Sequence, residues 1–140
     1  MSELHLSGSC LCGSVAYEIT GQFRGFFHCH CSRCRKATAT GHASNIILQP
    51  ESVQWIAGEN LLKSYKVPEA ERFMTVFCSN CGSLMPRVAP DNSIAVVPAG
   101  TLDHDPGIRP QARIMQGSRA DWSCDASELP VFDTYPPPGN

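Results

Sequence analysis

Residues 10–19 read Cys10-Leu11-Cys12-Gly13-Ser14-Val15-Ala16-Tyr17-Glu18-Ile19, and this stretch carries the two signals that decide the fold. Val15, Tyr17 and Ile19 alternate with Ser14, Ala16 and Glu18, the period of a half-buried β-strand. Just before them, two cysteines one residue apart precede a glycine. On a strand such a spacing puts both sulfurs on one face. A second pair stands far along the chain, in Cys78-Ser79-Asn80-Cys81-Gly82. Each glycine lets the chain turn so that backbone N–H groups can point at the sulfurs. Two ligands from each segment make a tetrahedral thiolate cage. Cys10, Cys12, Cys78 and Cys81 are therefore expected to hold a structural zinc with no open position. The rival reading of Cys78 and Cys81 as a redox dithiol lacks the βαβ setting that such a motif needs.

Outward from this stretch the chain is punctuated like an all-β domain of short strands. Residues 26–31 alternate, with Phe27, Cys29 and Cys31 on one face and His28 and His30 on the other. Residues 43–48 and 53–56 flank a turn at 49–52. Residues 61–67 and 72–78 flank a loop at 68–71. Residues 84–88 and 94–97 are separated by a turn at 89–92. One short helix is predicted, capped by Ser32, running through Thr38 and stopped by Gly41. From Gly100 the chain is rich in Pro, Asp and Gly and is expected to run irregularly over the surface, anchored by Trp122, Leu129, Val131 and Phe132. A single zinc-binding domain over residues 1–135 with a tail at 136–140 is the expected organisation.

The middle cysteines differ from the outer ones. Cys29-His30-Cys31-Ser32-Arg33-Cys34 offers three sulfurs and no obvious fourth. Three thiolates on zinc leave one coordination position free, the mark of a reactive site that can bind a substrate thiol. Arg33, Arg35 and Lys36 stand close in sequence, where they could offset the negative charge or hold the carboxylates of an acidic thiol. The competing reading is a second structural site, completed by His28, His30, His42 or Cys124. His28 and His30 face away from the sulfurs on the predicted strand and read as ordinary, partly exposed histidines. Cys124 stands alone and has no assigned role. Iron also takes tetrahedral thiolates.

Composition bounds the function. The chain has 140 residues, 42% of them hydrophobic and 17% charged, which suits a globular domain. Eleven basic against 13 acidic side chains give a net charge of −2, so a nucleic-acid binder is disfavoured. The N-terminal residues lack the basic and apolar regions of a secretory signal, and no apolar run approaches the ~20 residues of a membrane helix. A cytoplasmic, membrane-free protein is expected. In that compartment clustered cysteines, seven of the eight here, read as metal ligands before disulfides.

Taken together, these motifs resemble the glutathione-dependent formaldehyde-activating enzyme family, which includes centromere protein V. The resemblance runs from about Leu6 to Phe132. It rests on Gly8-Ser9-Cys10-Leu11-Cys12-Gly13, on Cys29-His30-Cys31-Ser32-Arg33-Cys34-Arg35-Lys36 and on Phe77-Cys78-Ser79-Asn80-Cys81-Gly82-Ser83. Gly100-Thr101-Leu102-Asp103 and the late Trp122 with Leu129-Pro130-Val131-Phe132 complete it. It implies a β-tent of packed antiparallel sheets. It also implies a structural zinc on Cys10, Cys12, Cys78 and Cys81, and a second, more labile zinc on Cys29, Cys31 and Cys34 where glutathione binds. The implied activity is carbon–sulfur lyase chemistry on S-hydroxymethylglutathione. Family members often carry a His where this chain has Arg113, a departure that bears on which thiol or electrophile is used.

The leading expectation is a zinc-dependent carbon–sulfur lyase acting on small thiol–aldehyde adducts, with a small thiol such as glutathione as partner. Cys29, Cys31 and Cys34 would form the reactive centre, Arg33, Arg35 and Lys36 would orient the substrate, and His42 is the candidate acid or base. The alternative is a non-catalytic zinc module that carries or senses a small thiol or binds a protein partner.

Overall fold

The computed structural model describes residues 2–123 and 126–139; Cys124 lies outside the described residues. The predicted all-β class holds: antiparallel sheets dominate and one short α-helix interrupts them.

Strand β1 (Glu3–Ser9) pairs antiparallel with β2 (Ala16–Cys29), and β2 pairs antiparallel with β3 (Ala43–Ala57) from Ala16↔Ala57 to Cys29↔Ala43. The alternation read in the sequence is the burial pattern of these strands. Leu4, Leu6, Val15, Tyr17 and Ile19 turn inward, and Ile46, Leu48, Ala95 and Val97 meet them. The sheet continues through β8 (Ala95–Pro98) to β7 (Arg87–Val88). The far end of β2 is flanked by β9 (Ala112–Ile114), which runs parallel to Phe27–Cys29. A second, three-stranded sheet is built from β4 (Leu62–Lys66), β5 (Met74–Cys78) and β6 (Leu84–Met85).

Several local expectations are corrected. The turn predicted at 49–52 is absent, because β3 runs straight through Pro50. Proline lacks the N–H a ladder needs, but β8 pairs only with Asn45–Leu48, so among the described residues β3 has no strand partner on that side at Pro50. The strand predicted at 84–88 is split at Pro86: β6 belongs to the small sheet and β7 to the large one. The proline marks where the chain leaves one sheet for the other. Helix α1 (Ser32–Thr38) has the predicted extent, but its N-cap is Cys31, whose sulfur accepts the Cys34 N–H, and Ala39 ends it in the left-handed conformation before Gly41 is reached.

The C-terminal region is irregular as expected, apart from β9. Its predicted anchors are not buried: Trp122 is 70% exposed and Val131 86%, and Leu129 and Phe132 are also on the surface. The segment that follows β8 is held in another way. Gly8 bridges Leu102, the Ser9 hydroxyl donates to the Asp103 carboxylate at 2.9 Å, and the Ser7 N–H donates to His104 Nε2 at 3.0 Å. No helix among the described residues is long and apolar enough to cross a membrane.

Candidate metal centres and the cavity between them

The outer cysteines meet as their spacing suggested, though through a different local geometry. Cys10 and Cys12 lie in a tight turn after β1, not on a strand. The turn is closed by the Gly13 N–H on the Cys10 carbonyl and by the Cys10 N–H on the Val15 carbonyl, both 3.0 Å. The other pair lies just past β5 in a matching turn, with the Gly82 N–H on the Cys78 carbonyl at 2.7 Å. Gly13 and Gly82 have φ of 79° and 80°, a conformation that side chains oppose. The four sulfurs lie within 4.8 Å of one another, with Cys10 to Cys12 at 3.6 Å and Cys12 to Cys78 at 4.0 Å. Tetrahedral zinc with Zn–S of about 2.3 Å needs sulfurs about 3.8 Å apart. The donor set therefore fits such an ion and offers it four ligands.

Hydrogen bonds surround these sulfurs. The Val15 N–H reaches Cys10 Sγ at 3.3 Å, and the Asn80 amide reaches Cys12 Sγ at 3.2 Å. The Ser14 and Asn80 side chains lower the Cys12 thiol to about 7. The Ser83 hydroxyl, 3.3 Å from Cys81 Sγ, and its backbone N–H lower Cys81 to about 5. Burial pushes Cys78 the other way. Ser83 also accepts the Leu11 N–H at 2.9 Å and so ties the two turns together.

The inner cysteines form a second group. Cys29 ends β2, Cys31 caps α1 and Cys34 sits in its first turn, buried. Their sulfurs also lie within 4.8 Å of one another. Among the described residues no histidine or carboxylate joins them, so the set offers three protein ligands. Burial raises the Cys34 thiol, with Cys31 and Cys29 adding to the effect. Burial also opposes ionisation at Cys31, but the Cys34 N–H at 3.2 Å and its neighbours outweigh it and bring that thiol down. Cys29, Cys34 and Ala43 pack with Cys31, Phe73 and Ile114 in a small cluster apart from the main core.

A cavity of about 620 Å³ lies against this second group, lined by Cys34, His42, Phe73, Ser83, Arg87 and Thr101 among others. From α1 it takes Cys34, Ala37 and Thr38. A helix turns about 100° per residue, so those three share a face, and Arg33, Arg35 and Lys36 project from the others. None of these three basic residues is on the cavity wall. The basic residue on the wall is Arg87, which the sequence did not single out. Its pattern, one arginine after a proline in a short strand, gives no hint of a site.

Of the two histidines read as partly exposed, one departs from that expectation. His30 is buried, 4% exposed, and neither ring nitrogen makes a well-formed hydrogen bond among the described residues. His28 is half-buried and stacks on His42, with ring centroids 4.0 Å apart; His30 lies 5.1 Å from His42. Burial, with His42 and Arg113 nearby, lowers both His28 and His30. Arg113 pairs with His28 across β2 and β9 and is not on the cavity wall.

The chain is similar to known proteins in sequence and in fold. The sequence profile described as glutathione-dependent formaldehyde-activating enzyme matches residues 5–118. No curated protein matches the chain significantly. Among solved structures, a Rhodobacter sphaeroides protein is similar in fold, with a TM-score of 0.55 and 21% identity over 77% of this chain and 98% of the other.

Proposed function

Since the chain belongs to the glutathione-dependent formaldehyde-activating enzyme family, we propose that it is a carbon–sulfur lyase that joins a small thiol to formaldehyde, or releases formaldehyde from the adduct, in the cavity beside Cys34. The observation that carries this reading is the inequality of the two cysteine groups. One offers four sulfurs and the other three, and Cys34 of the three-sulfur group lines a cavity.

In the proposed assignment Cys10, Cys12, Cys78 and Cys81 hold a structural zinc, and Cys29, Cys31 and Cys34 hold a second. Held by three thiolates, a zinc ion would supply a Lewis-acidic position beside which a thiol gives up its proton readily. The net change is the addition of a thiol across a carbonyl: a sulfur–carbon bond forms, and the thiol proton ends on the aldehyde oxygen. His42 is the cavity's imidazole among the described residues, and its Nδ1 faces the Ser44 hydroxyl at 3.5 Å. That leaves Nε2 to hold the proton between sulfur and oxygen. Phe73, packed on the cysteine group, presents an apolar face that excludes water from the reacting sulfur.

The test is an NMR assay with ¹³C-formaldehyde and glutathione under conditions where the spontaneous reaction is slow. Faster appearance and decay of the adduct in wild type, lost in Cys34→Ala, is expected. Binding of glutathione with no acceleration would replace the enzyme by a thiol carrier.

A further inference from the structure

Among the described residues, Arg87 is the guanidinium on the wall of the 620 Å³ cavity, and no carboxylate lines that wall. It sits on β7, just after Pro86 carries the chain from the small sheet to the large one. Two contacts hold it there. Its Nη1 donates to the Met74 carbonyl at 2.6 Å, and its guanidinium carbon lies 4.9 Å from the Phe73 ring centroid. Phe73 in turn packs against the Cys29, Cys34 and Ala43 cluster, so one aromatic ring touches both the cysteine group and the guanidinium. Burial pulls the Arg87 pKa down, and the nearby Cys34, Cys31 and Cys29 act in the opposite direction.

A guanidinium carries five N–H donors, and the Met74 carbonyl takes one of them. The cysteine group offsets part of the cost of this half-buried cation, and the donors beyond the one on Met74 remain to meet a further anion. Its planar fork matches the two oxygens of a carboxylate. Apart from His42, the remaining polar wall is made of hydroxyls and one amide, among them Thr38, Ser44, Asn45, Ser83 and Thr101.

We propose that Arg87 determines the cavity's specificity by binding a carboxylate of the incoming thiol, so that the site selects thiol acids over neutral or cationic thiols of the same size. This inference rests on the reading that the thiol binds beside Cys29, Cys31 and Cys34. It places the acid-recognising charge on β7, and not on the Arg33, Arg35 and Lys36 faces of the helix.

The test uses the full chain loaded with Co²⁺, whose thiolate-to-cobalt absorption reports a thiol arriving at the second group. Three thiols of similar size are titrated: 3-mercaptopropionate, 2-mercaptoethanol and cysteamine. Wild type should bind 3-mercaptopropionate at least about tenfold more tightly than the other two, the range of a charge-assisted hydrogen bond. Arg87→Gln, checked for two cobalt ions per chain and unchanged circular dichroism, should bring the three affinities within about twofold. Arg87→Lys keeps the charge but loses the fork and should keep only part of the preference. Should the glutamine variant fold poorly, the lysine variant decides, and a preference equal to wild type overturns the proposal. A preference that survives in Arg87→Gln, or its absence in wild type, also overturns it. A wild-type spectrum that no thiol changes would instead overturn thiol binding itself, a distinct signature.

Discussion

The two cysteine groups stand in contrasting surroundings. Cys10 and Cys78 belong to the main core, among Leu6, Val15, Ile46 and Val97. Cys29 and Cys34 belong to a small cluster at the far end of β2, with a cavity beside it. The first group joins chain segments that are distant in sequence, the turn after β1 and the turn after β5. The second is almost entirely local, held by one strand end and the first turn of α1. An ion in the first group would close the fold; one in the second would complete a site on a fold that already stands.

The largest expected effect is therefore an asymmetry between ligand substitutions. Cys78→Ala should abolish cooperative unfolding in thermal melts. Structural zinc contributes ~10–16 kcal/mol in small zinc domains, comparable with the whole ~5–15 kcal/mol that holds a domain together. Cys31→Ser should melt within about a few degrees of wild type and carry one zinc instead of two. Equal loss of folding in both would remove the distinction between the groups.

A smaller effect concerns the core around the first group. Tyr17 is 1% exposed, its hydroxyl 2.7 Å from Thr101 Oγ1, and burial raises its pKa to about 12. A phenol that ionises later in the folded chain stabilises it below about pH 10 and loses that contribution as pH rises towards 12. Stability in urea should fall by about 2 kcal/mol across that window. Tyr17→Phe should flatten the fall; an unchanged slope would place the alkaline sensitivity elsewhere.

The smallest effect belongs to the turns. A Cβ on Gly82 would meet nothing within 4 Å, so Gly82→Ala is opposed only by its φ of 80°. The expected loss is about 1–2 kcal/mol, read from denaturant midpoints, with two zinc ions still bound. A loss of metal would show that the turn shapes the cage more tightly than backbone preference alone explains.

Much of this contrast was legible in the spacing of the cysteines. Pairs with a following glycine marked the sulfurs that meet, and the unpaired third cysteine marked the group of three. The spacing did not reveal how they meet. The C-x-C pair looked like a strand and is a turn, because Gly13 allows a positive φ there. Arg87 was invisible for a stronger reason. Its place depends on the sheet switch at Pro86 and on Phe73 arriving from the loop before β5, both long-range events that no local pattern encodes. Arg33, Arg35 and Lys36 were conspicuous because they neighbour cysteines in sequence, yet helical rotation points them away from the cavity. Trp122 and Phe132 looked like anchors by residue type, but a single apolar side chain in an irregular segment, with no periodic partners, does not fix a buried face.

The most direct test of the central claim is zinc X-ray absorption on the two-zinc protein, with and without glutathione. Four sulfurs on one ion and three on the other predict an average near 3.5 sulfurs per zinc without thiol, rising to about 4 when glutathione is added. An average of four sulfurs in both states would mean that the inner group is closed by the protein itself, and the account of an open site would be wrong.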